Sequence, residues 1–206
     1  MESPAESSSK YLSADERRAV TVEAVVALAA ERNPSEITTA AIAARMGLTQ
    51  GAIFRHFPTK DSILQSVLDW VSERLLTRVD RAAQTQTSPL KALEAVFLAH
   101  VGFIAEHPGA PRMLLAELQK AGDTVSKRMV TTLMGSYRER LVWLLERGME
   151  AGEVDPALDI EAAATLYIGM IQGLVLQSLA SGEPARLLRD APPAFGIYLK
   201  GVARVR

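Results

Sequence analysis

The amino-acid sequence predicts an all-α fold of about nine helices, grouped as a small N-terminal three-helix domain and a larger helical domain. Three observations carry this. Apolar residues recur at helical spacing along nearly the whole chain, and no stretch alternates as a half-buried strand would. Ser, Thr, Asp or Pro precedes the periodic runs, and Gly or Pro follows them. Hydrophobic residues make up 48% of the 206 positions, ample material for a core.

The elements follow in order. Residues 1–13, MESPAESSSKYLS, are serine-rich and lack the apolar run of a secretory leader, so they read as a disordered tail. Ser13 caps a helix from about Ala14 to Arg32, with Val22, Val26 and Ala29 as its inward stripe and Asn33-Pro34 as its end. Thr38 or Thr39 caps a short helix to Met46, which Gly47 breaks. Thr49 caps another to about Phe57, which Pro58 stops. Thr59 caps a longer one to about Gln84. Pro89 opens the next, to Glu106, and the His107–Pro111 break precedes a proline-started helix. A long helix runs from about Asp123 to Ala151, with Gly152 as its C-terminal cap. Asp159 starts another, to about Ala180. A last helix after Pro184 is kinked or broken at Pro192-Pro193. Residues 14–58 and 59–206 are the expected domains.

Charge limits the partners. The net charge is −1 and the isoelectric point about 6.3, so nucleic-acid binding has to come from a local patch. Residues 10–60 carry +2 and the remainder −3. The absence of cysteine removes disulfides, thiolate metal sites and cysteine nucleophiles, and fits a reducing cytoplasm. No Ser-His-Asp set, phosphate-cradling glycine loop or HExxH motif is present, so neither an enzyme nor a cofactor is expected. His100 and His107 lack further ligands at metal-site spacing.

The informative stretch is ITTAAIAARMGLTQGAIFRHFPTK, residues 37–60. A helix-turn-helix needs a small residue where its helices cross, and Ala43 supplies it. It needs a turn residue tolerant of positive φ, and Gly47 lies four later. Ile42, Leu48 and Ile53 pin the helices together. The second helix then exposes Gln50, Gly51, Ala52, Arg55 and His56. Gln and Arg are side chains that read base edges in the major groove. Thr38, Thr39, Thr49 and Lys60 sit at helix starts, where hydroxyls, backbone N–H groups and an ammonium hold phosphates.

These residues resemble the TetR/AcrR family of transcription regulators. The resemblance rests on Thr39, Ile42-Ala43, Gly47-Leu48-Thr49, Gly51, Ile53 to Phe57, Lys60 and Leu64, and it is strong over residues 14–68. The family usually has tyrosine where this chain has Phe54. Phe54 is expected to keep the ring packing and lose a hydroxyl contact to phosphate. The resemblance implies a homodimer on a near-palindromic operator and a small-molecule effector held in the second domain. Repression with release by a largely apolar ligand is the expected function. The alternative is a ligand-independent DNA-binding dimer, such as a nucleoid-organising or division-associated protein.

Residues 162–182 contain no charge and meet the length of a membrane span. Thr165, Gln172, Gln177, Ser178 and Ser181 interrupt the run and its near flanks are acidic, so a helix buried on all sides is expected. One face would pack on its own domain and the other on a partner chain. Leu166, Gly169, Gly173, Leu174 and Gln177, with Leu187, Phe195 and Tyr198 of the last helix, are the expected dimer interface. Methionines and aromatics at helical spacing ordinarily build core. With the family's cavity in mind, Phe103, Met113, Tyr137, Trp143, Tyr167 and Met170 are candidate ligand contacts.

Overall fold

A computed structural model describes residues 13–204. They form α1 (Ala14–Glu31), a 3-10 turn (Pro34–Glu36), α2 (Thr39–Arg45), α3 (Gln50–Phe54), α4 (Lys60–Gln84), α5 (Pro89–Glu106), α6 (Gly109–Gln119), α7 (Val125–Glu150), α8 (Ile160–Ser181) and α9 (Pro184–Val202). The expected tail falls outside the described residues except for Ser13. Ser13 belongs to the fold: its hydroxyl accepts the Glu16 N–H while Glu16 accepts the Ser13 N–H, a reciprocal capping box. Thr38, Thr49, Ser88 and Asp159 each accept an N–H three residues on, and Thr59 accepts that of Ser62. Gly47 (φ 65°) and Gly152 (φ 69°) take the left-handed conformation that ends α2 and α7.

The described residues gather into two compact units. The first comprises the chain up to Val71 together with Pro108–Met129, and the second comprises Ser72–His107 and Val130 onward. The division therefore does not fall at residue 58, as expected. The first unit also takes the start of α4 and all of α6. The reason is a backbone contact that no periodicity reveals. A Cβ on Gly109 would stand 1.9 Å from the Val26 carbonyl oxygen of α1. Only glycine permits that approach. α1 has no basic residue in its last turn, and Arg112 of α6 supplies one. Its guanidinium donates to the Ala29 and Ala30 carbonyls at 3.3 and 3.2 Å. Val22, Val26, Ala29, Ile42, Ala43, Ile53, Phe57 and Val67 are buried in the core of this unit.

The second unit is built round an aromatic cluster. Phe97 meets Tyr167 edge-on at 5.4 Å and Phe195 at 5.2 Å. Tyr198 lies edge-on to Tyr167 at 5.5 Å. The Tyr167 hydroxyl donates to the Leu93 carbonyl and that of Tyr198 to the Ala163 carbonyl. Two bidentate ion pairs hold the second half of α4, Arg78 with Glu106 of α5 and Asp80 with Arg140 of α7. Glu153 caps α5 by accepting from Ser88 Oγ and the Leu90 N–H. The chain end is stapled back when the Arg204 N–H donates to the Glu153 carbonyl.

One expectation for the C-terminal helices is corrected. α9 is continuous through Pro192-Pro193. Both prolines lie on its exposed face, where carbonyls that lose a helical partner can meet water, while Ala191 and Phe195 anchor the other face. α8 buries one face, with Ala164, Tyr167 and Ile171, and leaves the other open, with Leu166 58% and Leu176 65% exposed, the face expected to meet a partner chain. Among the described residues α8 is the one helix long and apolar enough to cross a membrane, and a third of that stretch is buried inside the protein.

Candidate nucleic-acid interface

The first unit presents a helix-turn-helix. α2 ends at Arg45 with Met46 as its cap, Gly47 turns the chain, and Leu48 N–H bonds back to the Ala43 carbonyl at 2.9 Å. Ile42, Ala43 and Ile53 are buried between the helices, and Leu48 is half-buried. α3 spans only Gln50–Phe54, shorter than the expected run to Phe57. Arg55 to Phe57 leave the helix as a tight turn closed by the His56 and Phe57 N–H groups on the Ile53 carbonyl.

The expected contact residues share this surface. Thr38, Thr49, Gln50, Gly51, Phe54, Arg55 and Lys60 are exposed, and Thr39, Ala52 and His56 are half-buried. A Cβ on Gly51 would meet nothing within 4 Å, so the chain's own packing does not require glycine there. Gln50 is tied down: its Nε2 donates to Thr39 Oγ1 at 2.6 Å, bracing α3 against α2. The Thr38 and Thr49 hydroxyls are occupied as helix caps. Phe54 does not keep an internal packing role. Its ring is 44% exposed, because Ile53 and Phe57 take the inward positions. Sequence reasoning missed Arg18, whose guanidinium donates to the His56 carbonyl at 3.4 Å and lies over the Phe57 ring. It joins α1 to the end of the recognition segment, a long-range pairing without local spacing to announce it.

Residues 21–67 match the family model described as bacterial regulatory proteins, tetR family. This segment is that of the family's DNA-binding domain. The match covers the helix-turn-helix, so the segment carries the architecture of a DNA-binding regulator. Curated relatives extend beyond the DNA-binding segment. A nucleoid occlusion factor SlmA of Marinomonas sp. (strain MWYL1) is 26% identical, over 78% of this chain and 82% of its own. SlmA of Sodalis glossinidius is 28% identical over 68% and 72%. Among solved structures, a TetR-family regulator from Agrobacterium tumefaciens superposes with a TM-score of 0.80 at 19% identity, covering 93% of this chain and all of that one. The fatty acid degradation regulator FadR from Bacillus halodurans superposes at 0.79 with 20% identity, over 89% and 95%.

The ligand candidates do not line one cavity. Met113 is buried in the first unit. In the second, Tyr137 and Trp143 line a cavity of about 160 Å3 with Val79, Val96, Leu141 and Leu144. Trp143 is 56% exposed, at the surface, with Arg147 over its ring. Tyr167 is sealed in the aromatic cluster, Phe103 packs on His107, and Met170 lines an open groove between α8 and α9. The overlooked group is His100. Its ring meets Tyr137 at 4.9 Å, its Nδ1 is buried without a hydrogen-bond partner, and the buried Tyr137 hydroxyl has that of Tyr167 as its polar neighbour. Burial lowers the His100 pKa to about 4 and raises that of Tyr137.

The dimer candidates divide by face. Leu166, Gly169 and Gln177 point outward and Gly173 is half-buried. Leu174, Leu187, Phe195 and Tyr198 are buried in the chain's own core, a correction to their expected place in the interface. The aromatic cluster rotates α9 so that Leu188 (52% exposed) and Ile197 (75%) face out instead.

Proposed function

We propose that this protein is a TetR-family regulator, a cytoplasmic, homodimeric repressor released from a near-palindromic operator by a small, largely apolar ligand. Thr38, Thr39 and Thr49 hydroxyls or backbone groups and Lys60 would hold phosphates, while Gln50 and Arg55 would read bases beside Gly51 and Ala52. His56 and Phe54 would lie at the same surface.

The observation that carries the ligand half is the His100–Tyr137 pair. His100 Nδ1 lies in an apolar interior without a hydrogen-bond partner, beside a Tyr137 hydroxyl whose polar neighbour is Tyr167. Leaving such a group unmade costs about 1–3 kcal/mol, so a ligand's one polar group would gain by meeting it. α4 runs from Lys60 beside the interface to Gln84 and belongs to both units, so a ligand favouring one position of its second half would alter DNA affinity. The outward face of α8 and α9 supports the dimer. It holds Leu166 and Ile197 along an apolar groove of about 630 Å3.

A binding site selected from random DNA provides the operator, and a thermal-shift screen of apolar alcohols, ketones and acids provides ligands. A true ligand raises the midpoint, weakens operator binding, and loses at least tenfold in affinity in Tyr137→Phe. A screen in which no compound does all three defeats the ligand half. The SlmA relatives favour a second reading, a DNA-binding dimer without ligand control that acts in nucleoid occlusion. That reading expects many sites spread round the chromosome in place of one promoter.

A further inference from the structure

A second cavity, of about 580 Å3, lies within the first unit itself. Such a volume suits a small organic molecule. Its walls come from α1, the 3-10 turn, α2, the start of α4 and α6. Val25, Ile37, Ile63, Leu64 and Met113 give it an apolar side, and Asn33, Lys60, Asp61 and Gln119 a polar one. One wall is Glu117 of α6, whose side chain is only 5% exposed. Glu117 Oε1 pairs with Lys120 Nζ at 2.6 Å. Its Oε2 is fully buried and accepts no hydrogen bond.

That arrangement is unusual for a structural carboxylate. An ionised carboxylate can accept about four hydrogen bonds, and a buried one ordinarily finds them. Here half of its capacity is unused in a residue that lines the cavity. Its single cationic partner is a lysine whose own side chain is 48% exposed and free to swing away. We propose that this cavity binds an organic cation, a primary amine or amidinium on an apolar body, whose charged end meets Glu117 and whose body lies along Ile63, Leu64 and Met113. Lys120 is the internal stand-in that the ligand displaces. The cavity includes Ile42 of the helix-turn-helix and Lys60 at the head of α4, so occupancy is linked to the position of the DNA-contacting helices. This site is separate from the His100–Tyr137 pair and does not depend on it.

The test is calorimetric titration of the full chain with 4-phenylbutylamine, 4-phenylbutanol and 4-phenylbutyrate. The amine should bind at least tenfold more tightly than the other two. Glu117→Gln should erase that preference, and Lys120→Met, at a half-exposed position, should tighten amine binding severalfold. Equal binding of the three compounds, no binding of the amine, or full amine affinity in Glu117→Gln overturns the proposal. If Glu117→Gln does not fold, Lys120→Met decides: tighter amine binding supports the site, and unchanged or weaker binding removes it.

Discussion

The two units differ in what their exposed faces carry. In the first, Gln50, Arg55 and Lys60 stand at the surface on and beside α3. In the second, the α8–α9 face exposes Leu166, Leu176, Leu188 and Ile197. A buried polar atom without a hydrogen bond lies inside each, Glu117 Oε2 in the first and His100 Nδ1 in the second. Each contrast can be tested.

The largest effect is expected at the first unit's frame. Gly109→Ala forces a methyl against the Val26 carbonyl and should cost about 3 kcal/mol or more, read as a lowered urea midpoint. A cost near zero would mean that α6 does not brace α1. Next comes the second unit's interior. His100 has a folded pKa of about 4 against 6.5 unfolded, so the unfolded chain binds the extra proton between those values. The stability this leaves intact above pH 6.5 should be lost as pH falls to 4, by about 3 kcal/mol. His100→Phe keeps a ring against Tyr137 and should flatten that part of the stability–pH curve. If the curve keeps its slope, the proton goes elsewhere.

Smaller effects belong to the exposed edge. Arg55→Ala should weaken operator binding by about 1–3 kcal/mol with an unchanged melting curve, measured by fluorescence anisotropy. An equal loss on random duplex would reassign Arg55 from bases to phosphates. Phe54→Tyr should produce the smallest change, a tightening of about 1 kcal/mol or less that is uniform across sequences. Its ring is exposed, so the new hydroxyl has nothing inside the chain to disturb.

How much of this was legible in the sequence depended on range. Ser13, Thr38, Thr49, Thr59 and Asp159 announced their helices because a cap acts within three residues. Gly47 and Gly152 announced turns because φ is a property of one residue. The helix-turn-helix was readable for the same reason: its crossing, turn and pins lie within residues 37–60. α6 was not readable as a partner of α1, since Gly109 and Arg112 meet carbonyls some eighty residues earlier. Nor was the rotation of α9. Its apolar residues cover more than one face, and only the ring cluster of Phe97, Tyr167 and Phe195 decides that Tyr198 turns in and Ile197 out.

The bond between Gln50 and Thr39 has a consequence for selectivity. A glutamine amide has two N–H groups and one carbonyl oxygen. Thr39 takes one N–H. One donor and one acceptor are left, and adenine's major-groove edge asks for that pair, side by side. The side chain is also ordered before any DNA arrives, so its rotamer entropy is lost in folding and not in docking. In the proposed role of base reader, a side chain held still in this way would not swivel to accommodate a wrong base. The contact would add little to the strength of binding and much to its fussiness.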